Sequence, residues 1–152
     1  VANVSHSTLT GADLHEPKGV ASASNNEVYV ANGSASGAWT ALQYHAHGVI
    51  ADVSTSETVY IPMPYAGTVA KVITVLEGAI TVADATITAR NSAGSSMGTI
   101  TVAYTSSAAG DVDTLAPASN NTVTADDYIT IETDGGSTTA QKLWWTVVVD
   151  RS

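Results

Sequence analysis

The chain has 152 residues, 5 Lys and Arg against 14 Asp and Glu, a formal net charge of −9, and neither Cys nor Phe. Without Cys there are no disulfide scaffolds, thiolate metal sites or Cys nucleophiles, and the acidic balance argues against direct nucleic-acid binding, which needs clustered Lys and Arg. Charged residues are only 12% and hydrophobic ones 44%, the reverse of the disorder signature, and a chain of this length can bury enough surface to fold without a staple.

Residues 1–46 are rich in Ala, Ser, Asn and Gly and poor in large aliphatics. They read as an extended N-terminal arm with a small hairpin. The N-terminus has no basic region followed by an apolar stretch, so no signal peptide is expected. Pro17 disfavours helix at Glu16. Residues 28–31 predict a short strand and residues 38–42 its return, around turn signals at Asn32-Gly33 and Ser36-Gly37. So few large side chains build little core, and the arm needs another surface to become ordered.

Residues 47–152 alternate with period two and predict the body. In 58–64, Val59, Ile61 and Met63 share one face, while Pro62 and Pro64 on the other confine the strand to a sheet edge. Residues 67–77 are apolar on both faces, with Val69, Ile73 and Val75 on one and Val72 and Leu76 on the other. This predicts a central strand covered on both sides. Between Ile80 and Ile87 the apolar phase changes, which predicts a loop or short helical turn near Asp84 and a strand over 85–90. Strands are also expected over 99–104, over 128–133 with Ile129 and Ile131 inward, and over 142–149. Gly110-Asp111 reads as a turn, 111–127 as a long polar connection, and Asp134-Gly135-Gly136 as a hairpin turn. Six to eight strands with little helical periodicity predict an all-β antiparallel sandwich of jelly-roll or Greek-key type. No apolar run approaches the length of a membrane-spanning helix, so no membrane partner is expected.

Signals for chemistry are sparse. His45 and His47 share one face of a strand, at metal-ligand spacing, but a third ligand would have to come from elsewhere, such as Asp52 or a symmetry-related copy. Two surface histidines are the plainer reading. Asp126-Asp127 precedes a strand, where adjacent carboxylates point to opposite faces and make a poor acid/base pair. Capping of a turn explains them better. Neither a G-x-S-x-G elbow nor a phosphate-binding glycine loop occurs, so no catalytic residue, metal or cofactor is assigned and no enzyme is expected. Trp144 and Trp145 must face opposite sides of the last strand. One belongs in the core, and the other either meets a partner or lies under the arm. Trp39 is a similar anchor, since hot spots favour Trp, Tyr and Arg.

Two stretches resemble a known family. Leu9-Thr10-Gly11-Ala12-Asp13-Leu14-His15-Glu16-Pro17-Lys18-Gly19-Val20, followed by Val28-Tyr29-Val30-Ala31-Asn32-Gly33 and Gly37-Ala38-Trp39, resembles an N-terminal module of tailed-bacteriophage virion proteins. Residues 59–91, with Gly110-Asp111-Val112-Asp113 and Asp134-Gly135-Gly136-Ser137, are similar to phage head decoration (cement) and head-fibre proteins. The resemblance implies a non-enzymatic protein of the capsid exterior, present in the host cytoplasm during assembly. It binds the major capsid protein and itself, commonly as a homotrimer. Leu14, His15, Glu16, Pro17, Lys18, Tyr29, Trp39 and Trp144 are then the candidate capsid or subunit contacts. A fibre or tip module that binds carbohydrate or a host receptor is the alternative.

Overall fold

The structure, a computed structural model, describes residues 23–31 and 37–152. The contacts expected at Leu14, His15, Glu16, Pro17 and Lys18 lie outside the described residues. The chain divides into two units, Val1–Ala41 and Leu42–Ser152.

In the first unit, β1 (Glu27–Ala31) and β2 (Gly37–Ala41) form the antiparallel hairpin that the turn signals predict. Tyr29 stands opposite Trp39, and their rings meet edge-to-face with centroids 5.4 Å apart. On the other face Val28 and Val30 are exposed. Small residues dominate here, so one aromatic pair is the main packing within the hairpin.

The second unit is all β. Its strands are β3 (Gln43–Ile50), β4 (Glu57–Met63), β5 (Gly67–Leu76), β6 (Ala85–Asn91), β7 (Ser96–Val102), β8 (Val112–Leu115), β9 (Thr122–Val123), β10 (Asp127–Thr133) and β11 (Leu143–Arg151). One sheet runs β3-β11-β5-β8, with β9 added to β5, and the other runs β4-β10-β6-β7. Every pairing is antiparallel. The chain crosses between sheets at most connections. With β9 set aside as a short addition, this strand order is a jelly roll. Ile50, Val72, Leu143 and Val147 from one sheet meet Ile61, Ile87, Ile129 and Ile131 from the other in a single buried cluster.

Several sequence expectations hold in detail. Ile61 and Met63 point inward and Pro62 outward on β4, which is an edge strand. Ile129 and Ile131 are fully buried. Residues 79–84 form no strand, and Val82, at φ 75°, is exposed where Ile80 is buried.

Others need correction. On β5, Val69 does not share a face with Ile73 and Val75. The register against β11 shifts between Val148 and Val149, which leaves Ala70 as the extra residue of a bulge. A bulge reverses the alternation, so Val69 joins Val72, Thr74 and Leu76 inside. Asp134-Gly135-Gly136 does not close a hairpin, because β10 and β11 lie in different sheets. It begins a crossing, and Gly135 needs its φ of 72° and its missing Cβ to pass the Ser56 backbone. The connection after Asp111 holds the short strands β8 and β9. Gln43 to Ala46, read as part of the arm, lie in β3 of the body.

Candidate interaction surface

Alternation along each strand leaves one set of side chains pointing out of the sandwich, and the two outer faces differ in chemistry. On the β3-β11-β5-β8 sheet, the register aligns Val49, Trp144, Val75 and Val112 in one row across four strands. The next row is His47, Thr146, Ile73 and Thr114, and the third is His45, Val148 and Lys71. The first row is apolar throughout, while the next two mix apolar and polar side chains, with Ile73 and Val148 as their apolar members. Within the apolar row Trp144 is 50% exposed, and Val112 at its end is 59% exposed. The charges of this face are Lys71 and Asp150, and Asp150 accepts a 2.9 Å hydrogen bond from Gln43 Nε2.

The outer face of β4-β10-β6-β7 is polar. Thr58, Glu132, Thr88 and Thr99 align in one row, with Thr86 and Thr101 beside them. Arg90 pairs with Glu132 at 2.8 Å. At one end the Tyr60 and Tyr128 rings stand 5.4 Å apart, both exposed.

The structure thus decides between the adjacent tryptophans. Trp144 lies on the apolar outer face, and Trp145 is buried. Gly48 of β3 lies against the Trp145 ring so closely that a Cβ would collide with Cζ2. The Trp145 Nε1–H is buried with no hydrogen-bond partner. Tyr29 and Trp39 remain on the hairpin, described above as a unit of its own.

The sides of the sandwich also differ. Near β8, Leu115 packs on Gly98 of β7, its Cδ1 2.6 Å from where a Cβ would stand. Between β3 and β4, a cleft of about 350 Å³ remains open, bounded by Tyr44, His47, Tyr60, Pro62 and Trp145. A second of about 360 Å³ adjoins it at Tyr44 and Pro62 and reaches Asp126 and Asp127.

His45 and His47 are both exposed on the outer face, and His45 Nε2 lies 3.3 Å from Gln43 Oε1. Asp52 does not join them. Its carboxylate accepts hydrogen bonds from the Ser54 hydroxyl and N–H, at 2.6 and 2.8 Å, and these hold its pKa below the ordinary range. Among the described residues no three His, Asp or Glu side chains converge as a metal site would require. Asp127 accepts from the Ser92 hydroxyl at 2.6 Å and the Tyr128 N–H at 2.8 Å. These bonds lower its pKa, the Ser92 contact most. It serves as a turn cap, as its sequence context suggests. Burial raises the pKa of Asp113, and the Asp111 charge adds to this.

Most of the apolar face was not singled out from the sequence. Its signal was the double apolar pattern of β5, where Ile73 and Val75 read as a second covered side. In the structure they belong to the open face around Trp144.

No family model and no curated protein matches the chain. Among solved structures it is similar to one from Bacillus endospore appendages, described as a novel family of disulfide-linked pili, at 18% identity over 74% of this chain and 90% of that one, with a TM-score of 0.36. That neighbour is an appendage protein and not a virion protein, and a likeness this slight carries no argument.

Proposed function

We propose that the protein is a structural subunit of a tailed-bacteriophage particle, which binds the outside of the capsid as an oligomer and stabilises the shell. The observation that carries this reading is the apolar outer face around Trp144, set against a Thr-rich face on the opposite side. Four strands about 4.8 Å apart and roughly 20 Å long make a face of roughly 400 Å². Its apolar part is the row of Val49, Trp144, Val75 and Val112 with Ile73 beside it, and an exposed apolar patch on a free subunit is often functional.

The area also limits the mechanism. Seated on a partner, one face buries roughly 800 Å² in total, below the roughly 1,200 Å² of a stable specific complex. One copy therefore holds weakly, and an oligomer converts several weak contacts into avidity. The arm supplies further contact in this reading, through Leu14 to Lys18, Tyr29 and Trp39.

The test is co-sedimentation with capsids of the parent particle. The protein should be present at a copy number set by the shell symmetry, and capsids lacking it should break at lower temperature. Capsids that bind none of it would sink the proposal. One observation favours a second reading, a fibre or tip module for carbohydrate: the exposed Tyr60–Tyr128 pair offers flat rings on which a sugar could stack. Glycan binding by the isolated protein, lost in Tyr60→Ala, would support that reading.

A further inference from the structure

An antiparallel sandwich has four edge strands, and here three of them are blunted. In β4, Pro62 removes a backbone donor, and Pro64 follows just beyond the strand. In β7, the register shift against Ala89 and Arg90 makes Met97 a bulge, and Leu115 packs on Gly98 beside it. The β8 edge is four residues long. Proline, bulges and short length are the usual means of stopping a sheet edge from pairing with another chain.

β3 has none of these defences. It runs for eight residues, Gln43–Ile50, without Pro, Asp, Glu, Lys or Arg. No other strand among the described residues pairs with its outer edge. The cleft between β3 and β4 opens alongside that edge. Charge points the same way: two copies of a chain with net charge −9 repel each other, and β3 contributes nothing to that repulsion.

We infer that β3 is the site where a second copy of the protein adds its own β3, joining two sheets into one. The partner strand follows by elimination within the body, because the other three edges cannot complete a ladder. Pairing of β3 with β3 is isologous, so the assembly closes at two copies, where the resemblance implies three. Facing residues in an antiparallel pair share a side of the sheet. Inward and outward residues alternate along β3, so the two-fold axis must place one residue opposite its own copy. Near the middle of the strand that residue is Ala46 or His47. Either choice brings His45 and His47 close to those of the other copy on the outer face. The inward side chains of the added strand then enter the cleft.

The inference rests on the oligomer part of the proposed function and not on the capsid, so experiments on the free protein separate the two. Light scattering on the full chain should give twice 15.5 kDa at micromolar concentration. The double variant His45→Lys, His47→Lys puts like charges across the axis on outward positions. It should keep the β circular dichroism spectrum and bind its own copy at least tenfold more weakly. Because the chain has no Cys, single Ala46→Cys and His47→Cys variants give a second reading that does not depend on the double variant folding. One of them should form a disulfide-linked dimer on mild oxidation, since facing Cα atoms lie within disulfide range. A wild-type mass of one or three copies would overturn the inference, as would a dimer unaffected by the two lysines or the absence of a covalent dimer from both Cys variants.

Discussion

Trp145→Ala should unfold the sandwich far more readily than Trp144→Ala, although the two residues are neighbours. Trp145 is 5% exposed, and truncating a buried Trp typically costs about 3–5 kcal/mol. One feature moves the expectation to the low end. The native ring buries an N–H without a partner, a cost of roughly 1–3 kcal/mol that the variant no longer carries. A loss of about 3 kcal/mol lowers the melting temperature by roughly 10 °C in a domain of this size. Trp144 has half its surface in water and packs across its strand on Val49 and Val75, pairs worth about 0.2–1 kcal/mol each. Its removal should cost about 1 kcal/mol of stability. Its exposed half, roughly 125 Å² on a large aromatic, is worth about 3 kcal/mol when a partner covers it, or roughly a hundredfold in capsid affinity. Thermal unfolding followed by near-ultraviolet circular dichroism reads the first quantity, and capsid co-sedimentation the second. Equal destabilisation by the two variants would refute the reasoning, because it would mean that the outer face is already covered in the free protein.

Gly48→Ala should destabilise by about 1–3 kcal/mol through overpacking against Trp145, measured by denaturant unfolding, and combining it with Trp145→Leu should recover part of the loss. Asp52, Asp127 and Asp134 have lowered pKa values. For Asp52 and Asp127 the chief cause is a side-chain hydrogen bond, from Ser54 and Ser92, while for Asp134 burial pushes the pKa up and is outweighed by several hydrogen bonds together, those from the Thr86 and Gly136 N–H groups foremost. The stability these carboxylates add is present above the unfolded carboxylate range, and it is lost as pH falls below about 4 through their folded values. Asp127→Asn should therefore flatten an acid titration of the melting temperature. Asp113 has the opposite sign. Burial raises its pKa, so its ionised form opposes folding, and Asp113→Asn should stabilise at pH 7 and make no difference at low pH. Capsid attachment should change little between low and high salt, because the apolar face carries few charges for salt to screen.

Features set by local signals are legible in the sequence. Pro62 and Pro64 mark β4 as an edge by what proline cannot donate. Ile129 and Ile131 alternate cleanly, and the opposition of Trp144 to Trp145 follows from pleating alone. Features decided by a distant strand are not legible in the sequence. Ala70 gives no hint that it forms a bulge, because the bulge exists only relative to Val148 and Val149 on β11. The turn chemistry of Asp134-Gly135-Gly136 was legible, but the sheet to which the chain goes next was not. The choice between jelly roll and other sandwiches depends on strand order, which no single segment encodes. The candidate surface divides in the same way. Trp144 could be found from its own position, while its alignment with Val49, Val75 and Val112 is a property of register across four strands.

The two proposed contacts reinforce each other through geometry. Strand addition at β3 about an axis perpendicular to the sheet keeps both outer faces on the same side. The two outer faces then form one surface of roughly 800 Å², twice the single-copy estimate, with His45 and His47 of each copy at the seam and the two Trp144 rows on either side of it. Seated on a shell, that surface buries roughly 1,600 Å² in total, the size of a standard specific interface, where one copy alone falls short. The Thr-rich faces, with the Arg90–Glu132 pair and the exposed tyrosines, then point away from the shell into solvent. On this account the unblunted edge of β3 and the apolar face beside it have one common cause: a subunit that is incomplete as a monomer and gains its footprint by pairing.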